Sequence, residues 1–171
     1  MSRLILALGA AAAAASVAFV SACSSAEDQP AATCVGHTSS AASTQTAKPI
    51  SFEKEVLPIF SASCTFGSCH GSPSAGNNGI YLGKRGSTED AATVHAALVE
   101  KSSSKLPSMK YVKPFDAENS YLLHKLGGEF CGIPQCAGGK CGERMPRGGD
   151  ALDAASMEII EAWIAQGATM K

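Results

Sequence analysis

The sequence predicts a small all-α domain over residues 50–171. Apolar residues recur at helical spacing near both ends of this segment: Phe52, Val56, Ile59 and Phe60, then Met157, Ile160, Trp163 and Ile164. Helix starts and stops flank those patterns, with Ser51 and Asp153 placed as caps and Gly167 as a terminator. No convincing alternation of apolar and polar residues, the mark of a half-buried strand, occurs anywhere.

In chain order, Ser51 caps the first helix, and Pro58 falls inside its pattern, so a kink or break is expected there. A loop rich in Gly, Ser and Asn follows over residues 71–79. Thr88 or Ser87 begins a second helix through about Val99, with Val94, Ala97 and Leu98 as its apolar positions. Residues 101–113 read as a polar loop. Asn119 or Asp116 starts a short helix carrying Tyr121, Leu122, Leu123 and Leu126, which Gly127 and Gly128 stop. An irregular segment then holds Cys131, Cys136 and Cys141 and leads into a loop at Met145. Asp153 opens the last helix. There is no internal repeat.

The N-terminal residues read as an export signal rather than as part of the fold. Arg3 gives a short positive region, and residues 4–20 form an apolar stretch of mostly Ala and Leu. Val20-Ser21-Ala22-Cys23 resembles the bacterial lipobox, which implies a signal peptide over residues 1–22 and a lipidated Cys23. Ser24 lacks the aspartate associated with inner-membrane retention, so the expected location is the outer membrane, facing the periplasm. Residues 23–49 are Ser, Ala, Thr and Gln with almost no large apolar side chains, a composition that cannot offset its ordering entropy. They read as a flexible tether in which His37 is solvated and Cys34 is a disulfide candidate that pins the tether to the domain.

Fourteen Lys and Arg nearly balance fifteen Asp and Glu, and no basic stripe is present, so nucleic acid is not an expected partner. Aromatics are only 6% of the chain, and a small domain so built gains from disulfides or a buried cofactor.

The run Cys64-Thr65-Phe66-Gly67-Ser68-Cys69-His70 carries the chemistry. Two thiols just ahead of a histidine is the order in which c-type haem is held, by thioethers to its vinyl groups and by the imidazole as proximal iron ligand. Four residues separate the cysteines where the usual spacing is two, so the loop must bulge, which Gly67 eases. Met145-Pro146-Arg147-Gly148-Gly149 can form a turn that presents a thioether to a flat ring.

This order of elements resembles a c-type cytochrome domain of the planctomycete type. The phrases that carry it are Phe52-Glu53-Lys54-Glu55-Val56-Leu57-Pro58-Ile59-Phe60, Cys69-His70-Gly71, Asn119-Ser120-Tyr121-Leu122-Leu123-His124-Lys125-Leu126, Met145-Pro146, and Ile159-Ile160-Glu161-Ala162-Trp163-Ile164-Ala165-Gln166-Gly167-Ala168. The resemblance implies haem c attached at Cys64 and Cys69, with His70 as proximal and Met145 as distal ligand. A helix carrying Trp163 is expected to close over the first helix and help exclude water from the haem edge, and Tyr121 to pack near the haem or the core with its hydroxyl free for a propionate.

Other readings of the same residues remain. With Cys23 lipidated, six of the seven cysteines make three disulfides, or two if haem takes a pair, so their parity decides nothing. A network joining Cys34, Cys131, Cys136 and Cys141 is expected, with connectivity open. Zinc held by Cys69, His70, Cys131, Cys136 and Cys141 is a weaker reading, because the spacing is not that of paired C-x-x-C motifs. His95 reads as a packed or surface residue. His124, Met109 and Met157 are alternative sixth ligands. Lys101, Lys105, Lys110 and Lys113 read as a solvated loop before a docking rim.

The expected function is a membrane-tethered monohaem cytochrome that carries single electrons between periplasmic redox proteins and is not an enzyme. The alternative is a haem-free, disulfide-stapled surface lipoprotein that binds or scaffolds. An open-iron peroxidase or gas sensor ranks last, because no distal acid–base set is present.

Overall fold

A computed structural model describes residues 48–73, 80–136 and 140–171. The expected signal peptide, the lipidation site Cys23 and the tether up to residue 47, with Cys34 and His37, lie outside them. Among the described residues the chain is helical and has no strand. A π-helical turn, Phe52–Val56, runs into α1, Leu57–Ser63; α2, Ala91–Leu98, α3, Tyr121–Gly127, and α4, Ala154–Ala165, follow. The all-α expectation holds for this region. No helix among the described residues is long and apolar enough to cross a membrane.

Pro58 stands where the helical run divides into the π turn and α1. It lies in the first turn of α1, where a missing N–H costs nothing, and the wider π turn stands just before it. Ser51 opens that turn: its hydroxyl accepts from Lys54 N–H at 3.4 Å, and Glu55 reaches back to accept Ser51 N–H at 2.7 Å. The reach-back comes from the fourth residue, one later than in an ordinary capping box.

The second and third helices start later than the sequence suggests, for local reasons. Thr88 O accepts Ala91 N–H at 3.1 Å in a turn, and the Asp90 carboxylate accepts the Tyr81 hydroxyl at 2.6 Å rather than capping α2. Asp116 organises the turn before α3 by accepting Asn119 N–H at 3.2 Å, while the Ser120 hydroxyl donates to Asp116 O at 2.8 Å. Gly128, with φ +77°, then ends α3. In α4 the Asp153 carboxylate caps Ser156 N–H at 2.8 Å. Gly167 at φ +102° closes that helix in a Schellman motif, with Ala168 N–H donating to Trp163 O and Gly167 N–H to Ile164 O.

The frame is aromatic. The Phe52 and Trp163 rings are fully buried with centroids 5.1 Å apart, and His95 meets Phe52 edge-on at 5.2 Å. His95 Nε2 lies 2.7 Å from Ala168 O, so this histidine is a packed residue, as expected. The π turn carrying Phe52 packs against α1, α2 and α4, which fixes the direction in which α1 delivers Cys64.

Residues 101–113, read as a polar loop, are a loop with an apolar underside. Leu106, Met109 and Val112 are buried, and Met109 joins Leu106, Tyr121 and Cys136 in a second, smaller apolar cluster. Isolated bridges at Val99–Val112, Ser102–Lys110 and Lys110–Ser120 hold the loop in place.

Candidate functional site

Cys64 ends α1, its N–H donating to Phe60 O at 2.8 Å. The 64–70 loop then folds back on itself: His70 N–H donates to Cys64 O at 3.0 Å and Cys69 N–H to Phe66 O at 2.8 Å. Buried Thr65 anchors the loop through its hydroxyl to Ser61 O at 2.6 Å. Phe66 lies at the exposed tip under the Arg85 guanidinium, 3.8 Å from its ring centroid.

The glycine this loop needs is Gly71, not Gly67. A Cβ on Gly71 would lie 2.2 Å from Thr65 O, whereas a Cβ on Gly67 meets nothing within 4 Å. The close backbone approach that lets the chain turn back under the histidine requires a residue without a side chain.

The His70 ring is fixed from behind. Its Nδ1 lies 3.1 Å from Ile80 O, which can only accept, so Nδ1 carries the proton and Nε2 the lone pair in the neutral ring. Burial lowers the His70 pKa, the Ile80 carbonyl opposes that shift, and the Lys125 ammonium adds to it. Cys64 is 7% exposed, and burial, with a lesser push from Cys69, takes its thiol up to about 12.

Cys64, His70 and Met145 all face one cavity of about 330 Å³, near the low end of the ~300–1,000 Å³ usual for ligand sites. Phe60, Leu82, Leu98, Leu122 and Leu126 supply apolar walls. Met145 is presented from a segment with a cis Met145–Pro146 bond, and its N–H donates to Lys125 O at 2.7 Å. Cys69 is not among the described residues lining the cavity; its sulfur lies beside the Ser68 hydroxyl at 3.9 Å.

Several expectations are corrected. The Trp163 helix does close over the first helical turn, at Phe52, but it does not line this cavity, since its indole is buried in the aromatic frame and donates to Thr169 O at 2.8 Å. Tyr121 packs in the core as expected and lines the cavity, but its hydroxyl is not free, since it donates to Cys141 O at 3.1 Å. His124 is 3% exposed with Nδ1 2.9 Å from Glu129 O and Nε2 2.8 Å from Glu118 O, so neither nitrogen is left to act as a sixth ligand. Met109 and Met157 pack in the two apolar clusters and are not among the residues lining the cavity. Of the four lysines read as a solvated loop, Lys105 lines the cavity and Lys113 pairs with Asp116 at 2.6 Å.

Cys136 and Cys141 form a disulfide, and Cys131 is disulfide-bonded as well, whereas Cys64 and Cys69 carry thiols. The zinc set fails on this, because three of its five members cannot offer thiolates. Among the described residues no group of His, Cys, Asp and Glu is arranged to hold such an ion.

Lys125 is the residue that sequence reasoning missed. Its ammonium donates to Cys141 O at 3.2 Å and to Glu143 O, and lies 5.3 Å from the Phe130 ring centroid. Set against known protein families, curated proteins and solved structures, the chain finds no match.

Proposed function

We propose that the domain would hold haem c covalently through Cys64 and Cys69, with His70 and Met145 as the residues that would ligate its iron, and carries single electrons. The observation that carries this reading is the convergence of Cys64, His70 and Met145 on one apolar cavity, with the His70 tautomer fixed by Ile80 O. The donor chemistry fits: a neutral imidazole with Nε2 available, a thioether, and a cysteine sulfur at the wall.

When bound, the group supplies an iron that cycles between ferric and ferrous states. The chain's residues do the rest. Burial and the nearby Lys125 charge favour the neutral form of His70, which a metal ligand must be. The leucines and Phe60 keep water from the ring. Lys105 and Lys125 add positive charge beside apolar walls, while Arg147 is paired with Glu143 at 2.6 Å, a lining suited to a ligand that is apolar at its centre and acidic at one edge. The raised pKa holds Cys64 as a thiol, which slows its oxidation in an exported compartment. The proposed setting is an outer-membrane lipoprotein anchored at Cys23, facing the periplasm and meeting redox proteins through small transient interfaces.

A second reading, a haem-free scaffold stapled by disulfides, draws on the Cys136–Cys141 bridge and the bonded Cys131. A pyridine haemochrome spectrum with intact mass separates the two, on protein from a host that matures long-spaced motifs. The wild type should carry covalent haem, and a Cys64→Ala, Cys69→Ala double variant should be colourless. A colourless wild type with Cys64 and Cys69 bridged would replace the cytochrome by the scaffold.

A further inference from the structure

Helix α3 grips the segment that carries Met145 at several points. Tyr121 and Lys125, four residues apart, share one face of α3. The Tyr121 hydroxyl and the Lys125 ammonium both donate to Cys141 O, at 3.1 and 3.2 Å, and the ammonium also donates to Glu143 O. The backbone of the same lysine closes the grip, since Lys125 O accepts Met145 N–H at 2.7 Å. At the far end the Cys136–Cys141 disulfide ties the segment to the cluster of Leu106, Met109 and Tyr121, where Cys136 is 3% exposed.

We propose that Lys125, assisted by Tyr121 and the Cys136–Cys141 bridge, is a positioning residue for Met145: it fixes segment 141–145 against α3 so that the thioether stays at the cavity. The placement of an ammonium against backbone carbonyls is otherwise costly. Burial lowers the Lys125 pKa, Glu143 opposes this and Lys105 adds to it, so the lysine gives up hydration for these bonds. A solvated surface lysine would have no reason to do so. Two charge-assisted bonds to carbonyls two residues apart in one short segment restrain it more than the neutral backbone bond alone. Met145's part as a ligand rests on the haem reading, whereas the tether does not.

The test has two readouts. In haem-free protein, hydrogen exchange at the Met145 amide reports opening of the segment. Lys125→Met, which keeps the stem and loses the donors, should speed that exchange about tenfold, the equivalent of one charge-assisted bond. Ile160 and Trp163 amides should be unchanged, Tyr121→Phe should give a smaller acceleration, and Lys125→Arg should restore most of the protection. In haem-loaded protein, Lys125→Met should lower the reduction potential and weaken the methionine–ferric iron absorption band, as thioether ligation loosens. Unchanged Met145 exchange in Lys125→Met overturns the tether. A tether that behaves as expected in a wild type that never takes up haem sinks the cytochrome reading and leaves the positioning role intact.

Discussion

Gly71→Ala should be among the most damaging single changes in the domain, and Gly67→Ala, four residues earlier in the same loop, should be nearly silent. The added methyl at residue 71 would lie 2.2 Å from Thr65 O and 2.8 Å from Thr65 C, both backbone atoms of the loop's own floor. Thr65 cannot give way cheaply, because it is buried and its hydroxyl is held by Ser61 O at 2.6 Å. Overpacking against rigid neighbours costs about 1–3 kcal/mol or more, and here about 3 kcal/mol is expected. The methyl at residue 67 meets nothing, so its change should stay within about 0.5 kcal/mol. Urea unfolding of the two variants checks this. Equal losses would mean that the loop yields as a whole, and that the 64–70 turn is not held against α1.

The contrast shows what the sequence could and could not say about this site. The motif itself was legible: two cysteines and a histidine in order, and a Met-Pro turn, need only residue identity and spacing. Which glycine the loop depends on was not, because the clash at Gly71 arises from a fold-back that brings Thr65 beneath it. Local signals did well elsewhere. Ser51 and Asp153 are helix starts because the capping bond runs to a residue three positions on. Pro58 marked a division of the run, but not its form, a π turn ahead of α1 that leaves the proline in a first turn. Lys125 was invisible for a related reason. Its acceptors, Cys141 O and Glu143 O, lie 16 and 18 residues away, and a lysine on a short helix otherwise reads as a solvated side chain. The Tyr121 hydroxyl was hidden in the same way, committed to a carbonyl 20 residues on, although the burial of the ring was legible.

The stability of the haem-free domain should fall steeply in alkali through Cys64. Folding raises this thiol's pKa from 9.0 to about 12, chiefly by burial. Below pH 9 the thiol is protonated in both folded and unfolded chains, so the full stability is present. Between pH 9 and about 12 the unfolded chain releases the proton first, and stability drops by about 1.4 kcal/mol per pH unit, or about 4 kcal/mol over the window. Tyr81 adds to this slope, since its hydroxyl bond to Asp90, with lesser contributions from burial and the Asp90 charge, takes it up to about 12 as well. The difference between wild type and Cys64→Ala, measured by urea unfolding in oxygen-free buffers, removes those contributions and isolates the buried thiol. A difference that does not change with pH would mean that Cys64 is solvated in the haem-free chain. The same difference reports on attachment. A sulfur turned into a thioether has no proton to lose, so haem-loaded wild type should match the shallower profile of Cys64→Ala. A loaded protein that keeps the steep alkaline loss would carry its haem without using Cys64.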